Sequence, residues 1–214
     1  TFVPITSATR FDLLQDHSID ILCEATTVSL DRIKRFRPTL YTFLSGASFM
    51  YKHPAGASVK EKILKIGVLK NTTTRENILK SIWPNLNRDL VSLGFKYHTF
   101  DLVEVDTHWK SKALFDSGEI DIYIADREIL IAIRKLKFGR DLVVSNRYYT
   151  IEPYALFTRN DDLELLDIAN TTLRDMYRET DRRLNIQVFL RTNFPGQIFS
   201  DTLLHLFKLQ RILD

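Results

Sequence analysis

Leu13-Leu14-Gln15-Asp16-His17-Ser18-Ile19-Asp20-Ile21 and Leu114-Phe115-Asp116-Ser117-Gly118-Glu119-Ile120-Asp121-Ile122 are two versions of one pattern, roughly a hundred residues apart. Each reads as the end of a helix, a tight turn and a strand of the form Ile-Asp-Ile. Two such copies in one chain predict two lobes built alike. Between and around them, strands and helices alternate. Strands are predicted over Thr1–Ile5, Ser18–Cys23, Ser45–Tyr51, Ile63–Leu69, Tyr97–Leu102, Ile120–Ile124, Leu142–Val144 and Tyr154–Phe157. Helices are predicted over Ala8–Gln15, Ser29–Phe36, from Asn71-Thr72-Thr73-Thr74 to Ile82, Trp109–Asp116, Arg127–Leu136, Asp161–Arg178, Arg182–Leu190 and Asp201–Ile212. This alternation places the chain in the α/β class with parallel sheets. His53-Pro54-Ala55-Gly56-Ala57-Ser58 has the small, turn-prone composition of a connection, and a lobe boundary is expected near it.

The 214 residues suffice for one large domain or two small ones. Hydrophobic residues make up 44% and charged residues 27%, an ordinary globular balance. The net charge of +3 is spread along the chain without a basic arm, which argues against nucleic acid as a partner. Cys23 is the sole cysteine, so no internal disulfide can form. No apolar run reaches membrane-spanning length, and no charged-then-apolar leader opens the chain. If the protein is exported, its signal has been removed. The histidines and the cysteine have no metal-ligand spacing, and no phosphate-binding loop or nucleophile motif is present. Neither a metal nor a cofactor is expected, and no catalytic residues are assigned.

Five positions could carry chemistry. In Thr26-Thr27-Val28-Ser29-Leu30-Asp31-Arg32, Ser29 is a good N-cap. Arg32 then falls in the first helical turn, where a cation opposes the helix dipole. It is either a surface arginine or one half of an anion site shared with Thr27. Asn71-Thr72-Thr73-Thr74 is either a plain cap or an anion site of helix amides. Asp126, at the end of a strand and before a helix, is either an N-cap or the partner of an ammonium group. Ser7 and Arg10 lie in the turn after the first predicted strand, as a solvated face or a polar subsite. His108 heads the helix before the second Ile-Asp-Ile strand, and a lone histidine is more often structural.

Taken together these residues resemble the family 3 solute-binding proteins of bacterial ABC importers, in particular the glutamate/aspartate-binding branch. The resemblance rests on Pro4-Ile5-Thr6-Ser7-Ala8-Thr9-Arg10, Leu14, Ile19-Asp20, Thr26-Thr27 and Arg32, with Gly46-Ala47-Ser48 and Asn71-Thr72-Thr73. It continues through His108, Ser117-Gly118, Asp126 and Glu152-Pro153-Tyr154-Ala155-Leu156. It implies a two-lobed, venus-flytrap periplasmic binding protein of type II, with mixed sheets. One lobe would be 1–52 plus 146–214, the other 58–144, with hinge crossings near 51–54 and 145–150. The family's first strand, first helix and part of its second strand would precede Thr1. The first lobe is therefore expected to be N-terminally incomplete, with an apolar edge open to self-association.

By the resemblance, Arg32 and Thr27 hold the α-carboxylate of an amino acid, with Thr72 and Thr73. Asp126 takes the α-ammonium with the carbonyl of Ala25. Ser7, Arg10 and His108 hold a side-chain carboxylate, which makes the expected ligand acidic, and affinity would fall as pH rises through the pKa of His108. The sequence departs from the pattern at Asn71, where glycine is usual, and at Ala25, where serine is usual. The implied function is an extracytoplasmic amino-acid-binding protein, not an enzyme, serving an ABC permease in the periplasm or outside the cell. A sensor domain of a larger protein, or a dehydratase-like enzyme, are the alternatives on the same scaffold.

Overall fold

The computed structural model describes residues 1–52, 63–138, 141–178, 186–193 and 201–210. The expected connection His53-Pro54-Ala55-Gly56-Ala57-Ser58, the first residues of the 182–190 helix and the last of the 201–212 helix lie outside them.

The chain forms two compact units. Unit 1 comprises Thr1–Ile5, Thr9–Leu44 and Pro153–Asp214; unit 2 comprises Thr6–Ala8 and Ser45–Glu152. The chain thus passes between units at Ile5/Thr6, Ala8/Thr9, Leu44/Ser45 and Glu152/Pro153, the last two in place of the crossings expected near 51–54 and 145–150. The reason is hydrogen bonding. The 47–51 strand, expected to serve the first lobe, pairs inside the sheet of unit 2, with 122–126 on one side and 143–144 on the other.

Unit 1 contains helix α1 (Arg10–Gln15), strand β1 (Ile21–Leu22), helix α2 (Leu30–Ile33), strand β2 (Phe36–Ser45) and, after unit 2, strand β8 (Glu152–Arg159). Three helices follow: α7 (Leu163–Tyr177), α8 (Ile186–Asn193) and α9 (Asp201–Gln210). The sheet order is β1-β8-β2, with β1 antiparallel to β8. The strand predicted over Thr1–Ile5 is absent, because it finds no ladder partner among the described residues and an unpaired strand is not stable in water. The helix predicted to reach Phe36 stops at Ile33, and β2 takes over at Phe36. Pro38 is tolerated there because β2 is the edge strand. Side chains close that edge. Leu40 N–H donates to Asn170 Oδ1 (2.8 Å), and the Tyr41 carbonyl accepts from Gln210 Nε2 (2.8 Å) and Tyr177 Oη (2.7 Å). Gln210 also accepts from Tyr41 N–H, so its amide mimics a strand residue.

Unit 2 is a five-stranded mixed sheet, order β5-β4-β6-β3-β7. Its strands are β3 (Ala47–Tyr51), β4 (Ile63–Leu69), β5 (Thr99–Val105), β6 (Ile122–Asp126) and β7 (Val143–Val144). β4 runs parallel to β5 and β6; β3 runs antiparallel to β6 and β7. The sheet is mixed, as the resemblance implies: the alternation of strands and helices accounts for the parallel β4, β5 and β6, and β3 returns antiparallel. One face packs Leu64, Ile66, Val68, Phe49 and Ile124 under a long helical segment. The other packs Met50, Tyr123 and Ala125 with Phe115 of α5 (Lys110–Ser117) and with Leu130 and Ile133 of α6 (Arg127–Ile133).

That long segment runs on past its expected end at Ile82. Helix α3 (Thr73–Asn77) passes through a π-helical stretch, Ile78–Ile82, into α4 (Trp83–Ser92). Pro84 removes one amide donor in the first turn of α4, where the loss is cheapest. The helix thus crosses a residue that normally ends one, directly after the π-helical stretch.

The repeated nine-residue pattern recurs in the backbone. His17 (φ 65°) and Gly118 (φ 74°) occupy the same place in the two copies, and both turn through the left-handed region. The same closing bond follows in each: Ile19 N–H to Leu13 C=O at 3.0 Å, and Ile120 N–H to Leu114 C=O at 3.3 Å. Both helices therefore end by one C-terminal device and feed a strand. β6 is longer than β1 because it is paired on both sides.

Gly46 sits where no side chain fits. A Cβ there would lie 2.1 Å from the Thr150 carbonyl oxygen, which is backbone and cannot swing aside. Gly46→Ala is expected to cost about 1–3 kcal/mol, as overpacking does, read as a lower urea midpoint with unchanged slope. A midpoint equal to wild type would show that the 45–50 and 145–150 segments are not held as tightly as their hydrogen bonds imply.

Candidate functional site

In unit 1, the chain leaving β1 is fastened to β8. Ala155 N–H donates to Thr26 C=O (3.2 Å), and Val28 N–H donates to Pro153 C=O (2.8 Å). Thr26 and Thr27 are buried by this zipper, while Ala25 is exposed. Ser29 caps α2 as its sequence suggests, its Oγ accepting from Arg32 N–H at 3.4 Å. The Arg32 guanidinium folds back to donate to the Thr27 carbonyl at 2.6 Å, and lies 5.2 Å from the centre of the Phe11 ring.

Arg10 opens α1 and is only 5% exposed. Its guanidinium also lies 5.2 Å from the Phe11 ring and is ion-paired with Glu24. Unit 1 therefore brings together Arg10, Thr27 and Arg32 with two residues the sequence reading did not single out, Phe11 and Glu24. A half-buried guanidinium beside a buried threonine can receive a carboxylate, as a planar fork of donors does.

In unit 2, the turn from β4 into α3 passes through Asn71 at φ 57°. Asparagine tolerates this conformation better than most residues, which accounts for its presence where glycine is usual. Thr72 caps α3: its Oγ1 accepts from Arg75 N–H (3.3 Å) and donates to Leu69 C=O (2.8 Å). Thr73 Oγ1 donates to Glu152 Oε2 (3.2 Å), and Thr74 Oγ1 donates to Asp126 Oδ1 (3.3 Å). Asp126 stands at the N-cap position of α6, yet its side chain makes no capping hydrogen bond. It faces α3 instead, where it accepts from Thr74, the residue that follows Thr72 and Thr73. A largely buried carboxylate held by a hydroxyl can receive an ammonium group. The buried Glu152, in the quoted Glu152–Leu156 strip, was not singled out either.

His108 is turned toward the core of unit 2. Its Nδ1 lies 3.0 Å from the hydroxyl of Tyr123, a residue with no exposed surface. Burial pushes the His108 pKa down to about 4 and pushes Tyr123 up. The ring is therefore neutral at pH 7. Ser7 lies in Thr6–Ala8, assigned to unit 2, whereas Arg10 belongs to unit 1. Among the described residues no group of three or more histidine, cysteine or acidic side chains could hold a metal ion, and no helix is long and apolar enough to cross a membrane.

No family model matches the chain. It is similar to the L-glutamate/L-aspartate-binding protein of Pseudomonas aeruginosa, with 25% identity over 175 residues, 81% of this chain and 55% of that one. It is also similar to the general L-amino acid-binding periplasmic protein AapJ of Rhizobium johnstonii, with 28% identity over 181 residues, 80% of this chain and 48% of that one. The chain spans about half the length of these curated relatives.

Solved structures share its fold. An ancestral arginine-binding protein bound to arginine superposes with a TM-score of 0.70 at 20% identity, covering 91% of this chain and 80% of that one. A mutant of the Thermotoga maritima protein ArgBP gives 0.69 at 18% identity, with 90% and 76% coverage. An ancestral amino acid-binding protein that is a precursor of cyclohexadienyl dehydratase gives 0.65 at 20% identity, with 88% and 76% coverage. The chain is a homologue of the periplasmic amino-acid-binding proteins and carries their two-domain α/β fold.

Proposed function

We propose that the chain is the amino-acid-binding component of an ABC importer, held outside the cytoplasm and passing its ligand to a membrane permease. It binds and releases; it does not turn over its ligand. The observation that carries this reading is the division of charge between two separately built half-sites. Unit 1 presents Arg32 beside the buried Thr27. Unit 2 presents Asp126 beside the start of α3, with Thr72 and Thr73. An α-amino acid is a zwitterion, so it needs one of each. Arg32 and Thr27 take the carboxylate, helped by Thr72 and Thr73, and Asp126 takes the ammonium with the Ala25 carbonyl.

Calorimetric titration with the common L-amino acids tests this reading. At least one is expected to bind with a dissociation constant of about 1 μM or below, near −8 kcal/mol. The corresponding 2-oxo acid, lacking the ammonium, should bind far more weakly. Absence of saturable binding across the set would overturn the proposal.

A narrower reading makes the ligand acidic, with Ser7, Arg10 and His108 on its side-chain carboxylate. The name of the Pseudomonas relative speaks for it, and the Arg10–Glu24 ion pair speaks against it. In that reading the ligand competes with Glu24 for Arg10.

A further inference from the structure

Two guanidinium groups flank one aromatic ring in unit 1, each 5.2 Å from the centre of Phe11. Arg32 donates to a neutral carbonyl, that of Thr27. Arg10 is ion-paired with a carboxylate, that of Glu24. The Arg10 side chain is 6% exposed and that of Glu24 28% exposed, so the pair is partly withdrawn from water and the attraction is screened less than on an open surface. Glu24 directly precedes Ala25-Thr26-Thr27, on the segment that is zipped to β8. Its carboxylate is held in place by the fold.

Resting on the proposed amino-acid reading, we propose that Glu24 sets the class of ligand side chain: by occupying Arg10 it turns the protein toward amino acids whose side chains carry no negative charge. A tethered carboxylate pays no translational entropy to reach Arg10, whereas a ligand carboxylate does. An acidic side chain arriving at Arg10 must displace Glu24 or lie beside it. Displacement breaks a pair already made; sharing brings two carboxylates together, which like charges oppose. Repulsion of the wrong ligand is a common route to specificity, and here the repelling group is part of the chain. His108, which the sequence resemblance assigns to the same ligand carboxylate, adds no positive charge at neutral pH, because its burial keeps it unprotonated.

The test is calorimetry on the wild-type chain and on Glu24→Gln, each titrated with glutamate, aspartate, glutamine, asparagine and arginine at neutral pH. Glutamine keeps the shape and polarity of Glu24 and removes its charge. In wild type, both dicarboxylates are expected to bind at least about ten-fold more weakly than the best of the other three. In Glu24→Gln that gap is expected to shrink by about ten-fold or more, through gain of the dicarboxylates, because the Glu24 charge no longer competes with a ligand carboxylate for Arg10. Tighter binding of either dicarboxylate by the wild type overturns the inference, and needs no variant. So does a gap that a folded Glu24→Gln leaves unmoved. Silence of the wild type toward the whole amino-acid set is a different failure: it removes the amino-acid reading, and this inference with it.

Discussion

Replacing Arg32 by alanine is expected to abolish measurable amino-acid binding while leaving the fold largely intact. The loss should reach about thirty-fold or more, since removing one partner of a desolvated charge pair costs roughly 2–5 kcal/mol. Little stability should go with it. Arg32 lies in a four-residue helix whose cap is made by Ser29 and the Arg32 backbone, which the substitution keeps. The contacts of its side chain include a hydrogen bond to the Thr27 carbonyl and a contact with the Phe11 face. Each is worth about 1 kcal/mol in a partly exposed setting. Arg32→Lys should fall between, because lysine retains the charge and loses the planar fork. Calorimetry and thermal melting on the three chains check this. Unchanged affinity in Arg32→Ala would remove the arginine from the site.

The second large effect is on stability and depends on pH. His108 has its pKa pushed from 6.5 down to about 4 by burial beside Tyr123. The folded chain therefore binds fewer protons than the unfolded chain between those values. Stability is fully present above about pH 6.5 and is lost as pH falls toward about 4, below which the loss is complete. The loss attributable to this ring is at most about 3 kcal/mol. Urea unfolding at pH 7 and at pH 4.5 measures it, with His108→Gln as reference, because glutamine has no proton to gain. Wild type and variant should diverge on the acid side only. Parallel pH profiles would show that the ring reaches water before the chain unfolds.

The sequence by itself determined the repeated helix–turn–strand unit, because apolar periodicity and a left-handed turn are properties of neighbouring residues. Both copies form as read, with His17 and Gly118 at the same turn. It also marked the local caps: Ser29 and Thr72 each accept from an amide three residues on. Two kinds of feature were not legible. One is pairing. Whether 1–5 is a strand, or 36–45 is one, depends on a partner strand far along the chain, and β2 survives because Asn170, Tyr177 and Gln210 close its edge. The helix that starts at Thr73 also runs past its expected end at Ile82, through a π-helical stretch and across Pro84.

The other is electrostatics across distance in the chain. Arg10 and Glu24 are fourteen residues apart, with a helix and a strand between them, and no spacing rule joins them. His108 reads as a lone histidine at the head of a helix, and only β6 brings Tyr123 against it. Glu152 reads as part of a strand until Thr73 reaches it from α3. Residue type and local order say which groups could bind a zwitterion. Which of those charges another residue of the same chain already balances is decided when folding brings distant segments into contact and takes them out of water.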